Sequence, residues 1–154
     1  MSRAPRFMLK ACVFLVLRQD DQILMLRRVG TGYMDGQYSL VAGHLDGDER
    51  ATTATVREAK EEAGITVDPA DLTLVHTCHR LTRNDPGEER LDLYFECRRW
   101  QGTIRIAEPD KCDDLGWFPL AQPPANTIPI VHLCLQDIQA GRMYSEYDEE
   151  IQPA

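Results

Sequence analysis

Apolar runs separated by short polar or glycine-rich stretches set the candidate elements of this chain. Residues 7–17, rich in Phe, Val, Leu and Cys, predict a buried strand with Lys10 near its start. The polar stretch 18–22 predicts a turn, and 23–28 a second strand. Residues 29–36 hold too many glycines for regular structure and predict a loop. Residues 37–45 predict a short strand turning at Gly43. Further on, 72–81 and 91–100 predict two strands, the second with Leu91, Leu93, Phe95 and Cys97 at period two. Residues 103–107 predict a short strand, 108–116 an acidic loop, and 117–120 another apolar segment.

Two stretches carry helical periodicity instead. Between Asp48 and Gly64, the small apolar arc Thr52, Val56, Ala59 and Ala63 suits packing against a sheet. Asp48 is the expected N-cap and Gly64 the expected C-terminal stop. Ala51 and Ala54 are expected beside the acidic face, leaving room there. Ile128, Val131, Leu135 and Ile138 predict a second helix ending near Gly141. Residues 1–6 and 143–154 read as flexible tails, and no repeat or linker divides the rest, so one domain spans 1–154.

Composition narrows the class. Charged residues make up 27% and hydrophobic ones 43%, as in an ordinary globular domain. A net charge of −8 argues against a general nucleic-acid polymer or membrane surface as partner, since both select basic patches. It leaves a phosphate ligand open if cations bridge the two. Five scattered cysteines without a CxxC pair suit reduced thiols. No apolar run approaches the ~20 residues needed to span a bilayer. The basic N-terminus is followed by a run that Lys10 interrupts, unlike a signal peptide, so the expected location is cytoplasmic.

The densest chemistry lies between Gly43 and Ile65. At about 100° per residue, Glu58, Glu61 and Glu62 share one arc of roughly 100° on a helix. Like charges at that spacing repel by a few tenths of a kcal/mol per pair. A cation among them relieves this, and clustered carboxylates suit Mg²⁺ or Mn²⁺. Arg57 lies about two turns from Glu49 and can reach back toward it. Arg27 and Arg28, at the base of the glycine-rich loop, are candidate phosphate contacts, and the loop itself a candidate cleft wall.

Gly43, five residues, Glu49, seven residues, then Arg57-Glu58-x-x-Glu61-Glu62-x-Gly64-Ile65 resembles the box of the Nudix hydrolases, over 23 of 154 residues. Ala59 stands where a larger aliphatic residue is common, and Val41-Ala42 where Pro-Gly often precedes the turn. The resemblance implies an α/β (α+β) fold, an α/β/α sandwich with a mixed central sheet and the catalytic strand-loop-helix box. It implies metal ligation by Glu58, Glu61, Glu62 and the Gly43 carbonyl, with Arg57 and Glu49 holding the turn. The general base comes from the box in some relatives and from a distant loop in others. Here that loop is 108–114, with Asp110 the candidate.

The segment 123–128 is similar to the corresponding part of MutT-type enzymes. That resemblance implies a base-reading role for Asn126, with Trp117 lining the same pocket. Asn before a helix is equally a common N-cap, and Trp in a strand is commonly core.

The implied activity is Mg²⁺-dependent cleavage of a nucleoside diphosphate-linked small molecule, with a normal or oxidised (d)NTP, split to monophosphate and pyrophosphate, as the leading substrate. Dimerisation is frequent in the family. An ADP-ribose or nucleotide-sugar pyrophosphatase is the alternative, although Arg80 and Leu81 occupy the region where ADP-ribose-cleaving relatives carry a proline. A non-catalytic nucleotide-binding domain is a further reading, disfavoured by the retained carboxylates. An isopentenyl diphosphate isomerase ranks last.

Overall fold

The computed structural model describes residues 2–149, apart from the side chain of Pro86. Ten elements follow in order. They are β1 (Lys10–Gln19), β2 (Gln22–Arg28), β3 (Tyr38–Ser39), β4 (Val41–His44), α1 (Ala51–Ala63), β5 (Thr73–Thr82), β6 (Arg90–Cys97), β7 (Cys112–Pro119), α2 (Pro129–Gln139) and β8 (Tyr144–Glu149).

One mixed sheet runs β4-β1-β6-β5-β8. β1 pairs antiparallel with β4 and parallel with β6, while β5 pairs antiparallel with β6 and parallel with β8. A smaller antiparallel unit, β3-β2-β7, joins it through the β1–β2 hairpin. β1 is buried on both faces, which explains its unbroken apolar run. Val13, Leu15 and Leu17 point to α1 and pack near its Ala54, Ala59 and Ala63. Cys12, Phe14 and Val16 point the other way and share a core with Ile130, Val131, Cys134 and Leu135 of α2. Each fully buried Leu or Val contributes about 1.5–3 kcal/mol. The result is the expected mixed sheet between two helices.

Several expectations are corrected. Pairing starts at Lys10, and Phe7, Met8 and Leu9 stay exposed. Asp48 is not the N-cap of α1: it sits in a turn at φ 52, and Arg50 holds the cap position without a side-chain bond. Gly64 does end the helix, at φ 70, its N–H reaching the Lys60 carbonyl. The buried arc of α1 runs through Ala54, Thr55, Glu58, Ala59 and Ala63, so Ala54 is core rather than spacer. Residues 103–107 form no strand, because the Arg105 and Ala107 N–H groups go to the Ala63 and Glu62 carbonyls at the end of α1. β7 begins at Cys112, inside the expected acidic loop.

The C-terminal stretch expected to be pliable is a strand through Glu149; Met1 and 150–154 lie outside the described residues. β8 is held to α2 by side chains. Tyr147 Oη donates to Asp137 (2.6 Å), and Arg142 donates to the same carboxylate (2.9 Å). The buried His76 ring donates from Nδ1 to the Arg142 carbonyl (2.8 Å), leaving Nε2 to meet Ser145 Oγ (2.7 Å). Among the described residues all five cysteines are buried and free, and no helix is long and apolar enough to cross a membrane.

Candidate active site

The acidic face of α1 opens on a cavity of about 700 Å³. Gly43, Ala42 and His44 of β4 lie on one side, with Glu58, Glu61 and Glu62 beside them. Cys12, Phe14, Leu40, Ile128 and Ile130 supply apolar lining, while Arg80 and Arg90 bring charge from β5 and β6.

Arg57 organises the box. Its guanidinium donates to Glu49 (2.9 Å), Glu58 (2.8 Å), the His44 carbonyl (3.1 Å) and, more weakly, Glu61 (3.4 Å). One planar side chain therefore ties the turn before α1 to two of the three carboxylates. The bond to Glu49, with Glu58 behind it, holds Arg57 charged well above its already high ordinary value. Glu49 in turn accepts from the Asp46 N–H (2.9 Å), and Arg57 holds it below the usual carboxylate range. The sequence-based pairing of Arg57 with Glu49 is thus present in the structure.

Gly43 serves by what it lacks. A Cβ at this position would fall 2.0 Å from Glu58 Oε1. Its φ is not left-handed, so close approach, not backbone freedom, requires glycine here.

Glu62 accepts from the Ala42 N–H (3.1 Å). Burial of its carboxyl, with Glu58 and Glu108 nearby, pushes its pKa up to about 8. Burial likewise raises Glu58, against the pull of Arg57. Among the described residues no three acidic, histidine or cysteine side chains converge as a ready-made ligand set. The donor chemistry nevertheless fits a hard divalent cation: oxygen-only ligands, an unfavourably crowded Glu62, and a Cβ-free cradle against Glu58.

The glycine-rich loop and the acidic 108–114 loop are zipped together. The Val29 N–H donates to the Lys111 carbonyl (2.9 Å), and a Cβ on Gly30 would meet the Asp110 carbonyl at 2.8 Å. Arg28 lines the cavity but spends donors on the Tyr33 carbonyl (2.7 Å) and Thr31 Oγ1 (2.9 Å) within its own loop. Arg27 lines the cavity and pairs with Asp113 (2.7 Å). Tyr38 donates to Asp114. Asp110 lines the cavity too, yet Glu108 is the loop acid whose charge acts on both Glu58 and Glu62. The 105–107 strap along α1 puts it there.

Two expected pocket residues stand apart. Trp117 packs against Trp100 on the α1 side of the sheet (ring centroids 5.7 Å apart), outside the cavity lining. Asn126 is also absent from the lining: its side-chain amide donates to the Gly36 carbonyl (2.9 Å), bracing the glycine-rich loop, and Ile128, not Asn126, holds the cap position of α2. Residues not singled out from sequence, Glu108, Tyr33, Arg80 and Arg90, line the cavity instead. Arg80 and Arg90 face each other across β5 and β6 on the Cys12–Phe14 side of the sheet. Strand parity, once the pairing is known, identifies them.

The mixed sheet and the strand-turn-helix box together point to one protein family. The NUDIX domain profile matches residues 6–133, and the chain belongs to the Nudix family. It is 29% identical over 117 residues to the NAD-capped RNA hydrolase NudC of Pseudomonas aeruginosa, covering 75% of this chain and 38% of that protein. An 8-oxo-dGDP phosphatase of Mus musculus is 26% identical over 110 residues, 70% of this chain and 31% of that one. The chain thus spans less than half the length of these curated relatives. Among solved structures, a MutT Nudix hydrolase from Burkholderia pseudomallei superposes with a TM-score of 0.75 at 25% identity, covering 84% of this chain and 98% of that one. A MutT protein from Bacillus halodurans gives 0.70 at 19% identity, over 92% and 91%.

Proposed function

We propose that this chain is a divalent-cation-dependent pyrophosphohydrolase acting on a nucleoside diphosphate-linked small molecule, with a nucleoside triphosphate cleaved to monophosphate and pyrophosphate as its substrate. The observation that carries the reading is the Arg57-braced acidic face of α1, set against Gly43 at the rim of a cavity with an apolar floor.

Glu58, Glu61, Glu62 and the Gly43 carbonyl are the residues to hold Mg²⁺ or Mn²⁺. The bound cation would neutralise diphosphate oxygens and lower the pKa of a water. The protein's own residues then position the parts. Arg57 and Glu49 fix the turn that presents the Gly43 carbonyl. Arg28 and Lys111, the latter paired with Glu108 (3.5 Å), put positive charge on the cavity wall for the phosphate chain. Glu108 lines the same cavity and its charge is felt by both Glu58 and Glu62; we assign it the role of taking a proton from attacking water, in preference to Asp110.

The test is product identification after incubation with Mg²⁺ and a panel of normal and oxidised nucleoside triphosphates, ADP-ribose, nucleotide sugars and dinucleoside polyphosphates. Monophosphate and pyrophosphate from triphosphates, abolished by chelation and reduced by orders of magnitude in Glu61→Gln or Glu62→Gln, is the expected result. Turnover of none of these compounds by a folded protein would overturn the reading.

A further inference from the structure

Among the described residues, Arg80 is the one cavity-lining cation with almost no solvent contact, at 4% exposure. A guanidinium is costly to bury, so its surroundings show what the fold does with it. Its Nε donates to Glu149 of β8 (2.7 Å), Nη1 to Asp92 of β6 (3.2 Å), and Nη2 reaches Glu149 and, weakly, Tyr33 Oη (3.5 Å). These use four of its five N–H groups. One N–H on Nη1 has no acceptor among the described residues, and the Tyr33 contact is at the limit of a hydrogen bond. Asp92, fully buried, leaves its second carboxylate oxygen without a partner. Arg80 is therefore clamped from behind while part of its fork stays unspent.

Its place in the sheet gives the distance scale. Gly43 on β4 pairs with Val13 on β1, Cys12 with Asp92 on β6, and Asp92 with Cys78 on β5, two residues from Arg80. From the box turn to the Arg80 strand is three strand spacings, about 14 Å. A nucleotide whose diphosphate lies at the acidic face of α1 has its base over the apolar floor, where Phe14 is fixed by stacking on Tyr94 (4.5 Å, 12°). The outer edge of that base then meets Arg80 and Tyr33.

We propose that Arg80, positioned by Asp92 and Glu149, is the residue that sets base specificity, donating to acceptor atoms on the base edge. The assignment rests on the pyrophosphohydrolase reading above. A donor wall suits the adjacent O6 and N7 acceptors of a 6-oxopurine and opposes the N6 amino group of adenine. The two carboxylates behind Arg80 offset its charge, so the wall fits a neutral base better than a second phosphate.

The experiment compares kcat/KM for GTP, ITP and ATP in the wild-type protein and in Arg80→Lys. This variant keeps a positive charge for Asp92 but loses the planar fork. ITP lacks the C2 amino group and isolates the C6 oxygen. The wild type is expected to favour both GTP and ITP over ATP by about tenfold or more, and Arg80→Lys to bring all three within about threefold, mainly through KM. Equal loss on all three, or a retained preference in the variant, would assign Arg80 a structural role and overturn the proposal. Should Arg80→Lys fail to fold, calorimetric titration of the wild type with IMP and AMP decides, and equal affinities overturn it. Turnover of triphosphates without a 6-oxo preference removes this inference alone. Absence of turnover on every nucleoside di- or triphosphate removes the underlying reading with it.

Discussion

Gly43 and Glu58 compete for one space: the Glu58 carboxyl occupies the volume that any side chain at position 43 would need, with only 2.0 Å from an ideal Cβ to Oε1. The contact is with the end of a flexible side chain, so Gly43→Ala should fold while displacing Glu58. Turnover is expected to fall by about 10–100-fold, the range for losing support of a metal ligand, with an unchanged circular dichroism spectrum. Wild-type rates in this variant would show that the Glu58 carboxyl is not needed where it stands.

Arg57 predicts a separable effect on cation affinity. A lysine can satisfy one of its partners but not His44, Glu49 and Glu58 together. Arg57→Lys should raise the Mg²⁺ concentration for half-maximal activity by about 10-fold or more, and saturating Mg²⁺ should restore part of the rate. A Mg²⁺ titration of activity checks this. An unshifted titration curve with a reduced plateau would place Arg57 on the substrate instead.

Glu108 and Asp110 lie two residues apart, and both line the cavity. Glu108 acts electrostatically on both Glu58 and Glu62. Glu108→Gln is expected to lower kcat by about 10²–10⁴-fold, as for loss of a general base, and Asp110→Asn by far less. Steady-state kinetics on the best triphosphate distinguishes them, and the reverse order would return the role to Asp110.

Asp137 makes stability depend on pH. Its burial alone would raise its pKa, but the Tyr147 and Arg142 hydrogen bonds outweigh this and hold it below the ordinary carboxylate range. A depressed folded-state value adds stability at neutral pH that disappears as pH falls through that value. Each hydrogen bond to a charged group is worth about 1.5–3 kcal/mol, and a chain of this size shifts Tm by about 2–4 °C per kcal/mol. Asp137→Asn should therefore lower Tm by several degrees at neutral pH and flatten its decline in acid. Thermal melts across pH would show parallel curves if Asp137 contributed nothing.

The sequence made the box legible because its chemistry is local. Arg57 and the carboxylates it binds lie within one helix and the short turn before it, and Gly64 needs only a left-handed φ to end that helix. The strands around β1 were legible for a similar reason: burial on both faces leaves an unbroken apolar run. Asp48 misled because a good capping residue sits instead in a turn at positive φ, two residues before the cap position at Arg50. β8 was hidden by its acidic, half-exposed pattern, since what holds it is Asp137, His76 and Arg80 on distant elements. Trp117 and Asn126 are placed by resemblance; the side of the sheet that Trp117 occupies is a property of pairing register, and the Gly36 carbonyl that takes the Asn126 amide lies on a distant loop. Arg80 and Arg90 carried no sequence signal, since an arginine in a strand usually marks surface.

The sheet that carries the cavity floor is closed by partners far apart in the chain. β1 pairs in parallel with β6, Lys10 against Arg90, and β5 in parallel with β8, Thr77 against Tyr144. Parallel partners so far apart in the chain cannot meet through a hairpin, and their closure carries a loop-entropy cost before any contact rewards it. The helix bearing the carboxylates can nucleate from nearby residues, and the antiparallel β5–β6 pair that brings Arg80 to Asp92 is local too, whereas the Glu149 side of the Arg80 clamp comes from β8, far along the chain. A chain cut short of β8 would keep the acidic helix and the Arg80–Asp92 pair but lose the Glu149 side of the clamp.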